Sequence, residues 1–474
     1  MTKARPPAVI RRATGDDIVK IAGRWFGACL LAGMVSTGVF AKGVSQSAQL
    51  APRPPMGWNS WDAYGLGIAE SDFRANVDVL ATKLKPFGWN HAVIDEGWFL
   101  KNPQDRPTPD KLVYVLDANG RYIPDPDRFP SALRRGRNIG FAAIGAAVHA
   151  RGLKFGIHIV RGIPRESVAR NLPVAGTGFR AVDVADTNDA CSWDPTNWGV
   201  KDNAAGQAWY DSLIAQYAGW GVDYLKVDCI ADHPYKPAEI AMIHRAIAKV
   251  GRPIILSLSP GPTALTLARE VAAKAQLWRI SDDIWDVWSN PQSWPHGIVE
   301  QFDRVAAWAP FTRPGAWPDA DMLPFGMLGP TPGWGEPRQS RLTRDEQRSV
   351  MTLWAMARSP LILGANLTKL DSDTLALLTN RTVLEIDQYG SKQHEVVRDG
   401  AVIAWTSTGR HGERYLALFN TANDAVTVRQ SYAHYGLTGR YRTRNVWENA
   451  DLGQRDGVDA SLPAHGALLL ELLR

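Results

Sequence analysis

From about residue 52 onward, short apolar runs alternate with longer amphipathic stretches. The runs include Met56-Gly57-Trp58, Ala92-Val93-Ile94, Phe155-Gly156-Ile157 and Tyr224-Leu225-Lys226-Val227. Further on come Ile254-Ile255-Leu256-Ser257-Leu258, Leu277-Trp278-Arg279-Ile280 and Leu361-Ile362-Leu363. Short runs that stop at polar residues or glycine predict strands buried on both faces, as in a parallel sheet. The stretches between them gather apolar residues on one helical face. In residues 206–219, Trp209, Leu213, Ile214 and Tyr217 share one such face. Repeated alternation of strand and helix predicts a (β/α)8 barrel over residues 52–388.

The pattern changes near residue 390. Ala401 to Thr406, Arg414 to Thr421, Ala425 to Gln430 and Gly439 to Trp447 read as successive strands. Gly, Asn and Asp separate them, with no room for crossover helices. Residues 390–474 are therefore expected to form an antiparallel β-sandwich that packs against the barrel.

Charge and composition then narrow the functional classes. The formal charge is +5, but residues 1–41 hold Lys3, Arg5, Arg11, Arg12, Lys20 and Arg24 against only Asp16 and Asp17. The remainder is close to neutral and carries no electrostatic footprint for nucleic acid. In residues 1–41 a basic segment is followed by the apolar stretch Trp25 to Phe40 and by Val39-Phe40-Ala41. That order predicts a cleaved signal peptide and an exported protein; a membrane is a partner only if the segment stays as an anchor. Outside it, the cysteines are Cys191 and Cys229. In an exported protein they can pair or remain two buried thiols. The ten histidines show no metal-ligand spacing. The 19 tryptophans suit either a large core or stacking against sugar rings.

In a barrel of this kind, chemistry sits where strands end. The predicted strands end in Asp95-Glu96, His158, Asp228, Arg279 followed by Asp282 and Asp283, and Asp319 with Asp321. Taken singly, an Asp here can cap a helix, and His158 can be a satisfied core histidine. Together they present carboxylates around one barrel mouth, as glycoside hydrolysis requires. The two working carboxyls need separated pKa values. Lys226, two residues before Asp228, is expected to keep Asp228 ionised, and Asp282 and Asp286 to raise Asp283.

These residues carry a resemblance to the melibiase-type α-galactosidases of glycoside hydrolase family 27, from about residue 53 to 474. Pro54-Pro55-Met56-Gly57-Trp58-Asn59-Ser60-Trp61 is similar to the family's first strand. Leu225-Lys226-Val227-Asp228 resembles its nucleophile strand, and Trp278-Arg279 with Asp283 its acid/base segment. Trp317 to Met322, Pro360 to Gly364, Glu385 to Gln388, Val446-Trp447 and His465-Gly466 resemble its later motifs. The resemblance implies a retaining exo-α-galactosidase with Asp228 as nucleophile and Asp283 as acid/base, about 5–5.5 Å apart. It also implies sugar contacts from Trp58, Asp95, Glu96, His158, Lys226, Ser259, Arg279 and Asp321, and no metal or organic cofactor. A disulfide beside the nucleophile strand is implied as well, which Cys191 and Cys229 would form.

Four departures bear on the sugar. The family's second strand usually ends in two Asp residues that grip O4 and O6; here it ends Asp95-Glu96. His158 stands where Tyr is usual, and Ser259 where α-galactosidases place Glu and N-acetylgalactosaminidases Ser. The segment Arg161 to Arg165 replaces the usual loop. Family relatives acting on α-N-acetylgalactosaminides, isomalto-type glucans or β-L-arabinopyranosides are the alternatives. A non-catalytic carbohydrate-binding protein is a second class, and a lyase using Lys226 as a Schiff-base amine a third.

Overall fold

The computed structural model describes residues 49–105, 111–329 and 335–474. The expected signal segment, residues 1–41, lies outside the described residues. Eight parallel strands form the first layer: β1 (Met56–Asn59), β2 (His91–Ile94), β3 (Lys154–Val160), β4 (Tyr224–Asp228), β5 (Ile255–Leu258), β6 (Leu277–Arg279), β7 (Trp317–Asp319) and β8 (Leu361–Leu363). They hydrogen-bond in the order β7-β6-β5-β4-β3-β2-β1-β8. Leu323, just past β7, completes the ring by bridging in parallel to Leu363 of β8. Its N–H donates to Ile362 O at 2.8 Å. The fold is a (β/α)8 barrel, and each apolar run quoted above lies on one of its strands.

Helices cover the outside. The stretch expected over 206–219 forms a helix over Ala204–Gly219, with Trp209, Leu213, Ile214 and Tyr217 buried. It starts at Asn203, whose side-chain oxygen accepts the otherwise unpaired Gly206 N–H at 2.8 Å. Between β1 and β2 the strands approach closely. A side chain at Gly57 would meet His91 O at 2.3 Å, so only glycine fits.

The C-terminal antiparallel β-sandwich comprises β9 (Ser391–Asp399), β10 (Val402–Thr408), β11 (Arg414–Asn420), β12 (Val426–Ser431), β13 (Tyr441–Asn445), β14 (Ala450–Arg455), β15 (Gly457–Leu462) and β16 (Ala467–Leu473). Six strands pair in the order β9-β10-β11-β16-β13-β14, opposite the pair β12-β15. Side chains alternate along a strand, and here both faces are buried. Ala404, Leu416, Leu418, Leu470 and Leu472 fill the sandwich interior. Ile403, Trp405, Ala417, Phe419 and Leu469 join the barrel's own hydrophobic core. That shared core, plus the Trp447 Nε1 donation to Thr352 Oγ1 at 2.9 Å, fastens the sandwich to the barrel.

Candidate active site

The C-terminal ends of β1 to β7 deliver polar side chains to one end of the barrel. Asp95 follows β2, Asp228 closes β4, Arg279 closes β6, and Asp321 lies two residues past β7. All are buried or nearly so, and the parallel strands bring them to the same end of the barrel. The Asp95 carboxylate accepts three hydrogen bonds. Its Oδ2 accepts from Asn59 Nδ2 at 2.6 Å and from Lys226 Nζ at 2.9 Å. Its Oδ1 accepts from Glu96 N at 2.8 Å, and its own N–H donates to Ser60 Oγ at 3.0 Å. Burial alone would raise its pKa; the charges of Lys226 and His158 and these donors outweigh it and hold the carboxyl well below the usual range.

Asp228 sits between His158 and the backbone. His158 Nε2 lies 3.4 Å from Oδ2, and Cys229 N donates to Oδ1 at 2.7 Å. Burial pushes this carboxyl up, but His158, Lys226 and the Cys229 N–H prevail, leaving its pKa below the ordinary value. It is therefore an anion near neutrality, as a nucleophile must be. The expected influence of Lys226 is present, but its hydrogen bond goes to Asp95. His158 takes the place beside Asp228. Trp98 Nε1 donates to His158 O at 2.9 Å and anchors that end of β3. Coulomb attraction to Asp95 and Asp228 keeps Lys226 charged despite its burial. A Schiff-base amine needs the opposite shift, so this lysine is not poised for lyase chemistry.

Arg279 joins the other half of the site. One nitrogen contacts Asp321 Oδ2 at 2.6 Å and Asp283 Oδ1 at 3.2 Å. Asp321 also accepts from Ile284 N at 2.8 Å and Met322 N at 2.7 Å. Burial, followed by the repulsion of Asp283 and Asp319, pushes Asp321 up to about 7 against the pull of Arg279. The Asp283 side chain is 37% exposed, against 16% for Asp228. One carboxyl is thus enclosed and held as an anion, and the other reaches towards solvent. Asp286 departs from expectation. Its two oxygens are taken by Arg338 at 2.9 and 2.6 Å, and Arg341 N donates to it at 3.0 Å. It is a structural clamp that ties the segment after β6 to Arg338 and Arg341.

Trp58 is the second correction. It is 0% exposed, and its indole N–H donates to Ala365 O at 2.7 Å. It packs among Tyr64 and Phe73 and presents nothing to a ligand. The aromatic of that motif left half-buried at the strand end is Trp61, whose backbone N–H donates to Asn59 Oδ1 at 2.8 Å. Asn59, Ser60 and Trp61 were in view in the first-strand motif. The tie of Asn59 and Ser60 to Asp95 could be found only by pairing β1 with β2.

Ser259 is buried directly after β5, and its N–H donates to Val227 O at 2.9 Å, beside the nucleophile strand. Glu96 is buried too. Cys191 and Cys229 form a disulfide with Cα atoms 5.9 Å apart. Cys229 occupies the left-handed region at φ 60°. Arg161 braces this turn. Its Nε donates to Cys229 O at 2.7 Å, and its guanidinium pairs with Asp189 and Glu239. The segment after β3 therefore braces the turn that follows Asp228. A cavity of about 650 Å³ lies elsewhere, lined by residues including Arg344, Arg348, Asp373, Asn380 and Trp447. Among the described residues no cluster of His, Cys, Asp or Glu is arranged to hold a metal ion, and no helix is long and apolar enough to cross a membrane.

Comparison with known proteins fits this geometry. Residues 200–389 match the family described as alpha galactosidase A, and residues 399–472 match the alpha galactosidase C-terminal beta sandwich domain. The chain is 38% identical to a solved β-L-arabinopyranosidase of glycoside hydrolase family 27 from Geobacillus stearothermophilus. The match has a TM-score of 0.84 and covers 91% of this chain and 99% of that one. A variant of that enzyme has been solved in complex with arabinose. A putative alpha-N-acetylgalactosaminidase from Bacillus halodurans is 37% identical, with a TM-score of 0.77, covering 89% of this chain and 97% of that one. Alpha-galactosidase A of Cellvibrio japonicus is 26% identical, covering 90% of this chain and 93% of that one.

Proposed function

The chain belongs to glycoside hydrolase family 27, and from that premise we propose that it is a retaining exo-glycosidase that removes terminal β-L-arabinopyranosyl residues. The observation that carries the mechanism is the contrast between an enclosed, ionised Asp228 and a more exposed Asp283 held by Arg279. Asp228 attacks the anomeric carbon while Asp283 protonates the leaving oxygen. Asp283 then takes a proton from water, which displaces the sugar from Asp228 with net retention. Asp95, Lys226, Arg279 and Asp321 form a charged cradle for ring hydroxyls, with Glu96, His158 and Ser259 beside them.

Glu96 supports the choice of sugar. β-L-arabinopyranose has the ring stereochemistry of D-galactopyranose but lacks the exocyclic hydroxymethyl group. A glutamate reaches about 1.5 Å further than an aspartate, one C–C bond. Buried where the family's Asp meets O6, it occupies space that a hydroxymethyl group needs. The relative at 38% identity carries the same activity in its name. Hydrolysis of α-D-galactosides is the second reading, supported by the α-galactosidase family matches over 200–389 and 399–472. The small Ser259 supports a third, α-N-acetylgalactosaminide.

Nitrophenyl β-L-arabinopyranoside, α-D-galactopyranoside and α-N-acetylgalactosaminide compared side by side test the proposal. The arabinopyranoside is expected to lead in kcat/KM by at least about tenfold, or 1.4 kcal/mol of transition-state binding. A tenfold lead for either other sugar overturns the sugar and leaves the mechanism standing. Asp228→Asn is expected to abolish turnover. Asp283→Ala is expected to slow poor leaving groups far more than activated ones, and equal losses would reject it as the acid/base. The Cys191–Cys229 disulfide supports an exported location, where such bonds persist. Recovery of the mature protein from the cytoplasmic fraction alone would reject export.

A further inference from the structure

Asp62 has no role in the chemistry above, yet it lies within the same group of charges. It belongs to the short helix Trp61–Tyr64 that follows β1, and it is 4% exposed. Among the described residues, no side chain or backbone group hydrogen-bonds its carboxyl. Its surroundings are the site itself: the charges acting on it are those of Asp321, Lys226, Asp283 and Asp95. Its backbone is fixed, since Gly329 N donates to Asp62 O at 2.9 Å. Its carboxyl rests on Gly364 at the end of β8. A Cβ on Gly364 would lie 1.9 Å from Asp62 Oδ2, so the glycine leaves that oxygen its place.

We propose that Asp62 is a further sugar-contacting residue, which bonds a ring hydroxyl from the β1–β8 side of the barrel as a neutral carboxylic acid. Buried polar groups in folded proteins have partners, and a carboxyl ringed by ligand-binding side chains but bonded to none of them receives its partner from the ligand. A neutral acid both donates to and accepts from a hydroxyl, which an anion cannot do. Burial, with repulsion from Asp321, Asp283 and Asp95 outweighing Lys226, favours the protonated form. Asp62 thus differs in kind from Asp95. Asp95 grips its hydroxyl as an anion paired with Lys226, whereas Asp62 is the uncharged donor of the pocket. The inference rests on the sugar-hydrolase reading of this site.

The test is calorimetric titration of the full-length protein with L-arabinose and D-galactose, alongside KM and kcat on whichever nitrophenyl glycoside is cleaved. Asp62→Ala is expected to weaken binding of the preferred sugar by at least about tenfold and to raise KM more than it lowers kcat. Asp62→Asn keeps one donor and one acceptor without charge and is expected to stay within about threefold of wild type. Gly364→Ala displaces the carboxyl without removing it, and is expected to weaken binding as Asp62→Ala does. It serves in place of Asp62→Ala should that variant not fold. Sugar affinity unchanged in Asp62→Ala or Gly364→Ala overturns the contact. An Asn variant as impaired as the Ala variant overturns the neutral-acid role. Wild-type protein that binds neither sugar overturns this inference together with the sugar-hydrolase reading. A bound sugar indifferent to Asp62 overturns this inference alone.

Discussion

Lys226 Nζ lies 2.9 Å from Asp95 Oδ2 on a neighbouring part of the barrel, although Asp228 is only two residues further along its own strand. Both side chains of the pair are largely buried, at 14% and 2% exposure. The ammonium is thus committed to Asp95, and its influence on Asp228 is exerted through space. Removing either partner leaves the other charge buried and unpaired, which typically costs about 3–5 kcal/mol. Lys226→Met is expected to lose that much stability in urea unfolding and to raise KM sharply. Asp95→Asn combined with Lys226→Met is expected to recover part of the stability but none of the activity. Additive losses in the double variant would show that the two groups do not act as a pair.

The same pair sets a pH dependence. The folded pKa of Asp95 is depressed, so its contribution to stability is present above the ordinary carboxylate pKa of about 4 and is lost as pH falls through the folded value. The stability gap between wild type and Asp95→Asn is expected to be full at pH 6 and to shrink steadily below pH 4. Thermal melts at several pH values measure it. A gap that widened on acidification would contradict the assignment.

Cys191–Cys229 closes a loop with a sequence separation of 38. Loop-closure entropy puts its contribution at about 4 kcal/mol. Cys191→Ser with Cys229→Ser is expected to lose stability of that order. It is also expected to lower kcat, because the turn that aims Cys229 N–H at Asp228 is released. A variant with normal kcat and lowered stability would separate the disulfide from the nucleophile.

Glu96→Asp shortens the buried side chain by one methylene. Discrimination against one extra carbon is worth about 1–3 kcal/mol in an enclosed site. The ratio of kcat/KM for α-galactoside over β-L-arabinopyranoside is expected to rise by about tenfold or more. An unchanged ratio would show that another residue selects against the hydroxymethyl group.

Asp286→Asn tests a structural role against an electrostatic one. The clamp with Arg338 is buried, with side-chain exposures of 11% and 0%. The variant is expected to lower stability by about 3–5 kcal/mol. The limb of the pH–kcat/KM profile assigned to Asp283 is expected to stay where it is. A shifted limb would return Asp286 to the role of tuning the acid/base.

The barrel was legible because a strand buried on both faces needs a continuous apolar run. Such runs, at Tyr224 to Val227 and Leu361 to Leu363 for example, are visible without knowing their neighbours. Asp95, Asp228 and Arg279 were legible for a related reason: the residue where an apolar run stops is the residue at the barrel mouth. The resemblance added roles and the pairing of Cys191 with Cys229.

Which groups touch was decided only by the tertiary structure. Hydrogen-bond partners come from different parts of the barrel, and how those parts meet is not written in any one of them. Asp95 therefore belongs with Asn59, Ser60 and Lys226, and Asp286 with Arg338 far along the chain. Trp58 and Trp61 look equivalent in Trp58-Asn59-Ser60-Trp61, yet the end of the strand turns one into the core and leaves the other near the surface. Nothing in the sequence singles out Asp62. Enclosure by β8 and by the charges of other strand ends gave it a place in the site, because burial and proximity are properties of the assembled barrel and not of any one of its strands.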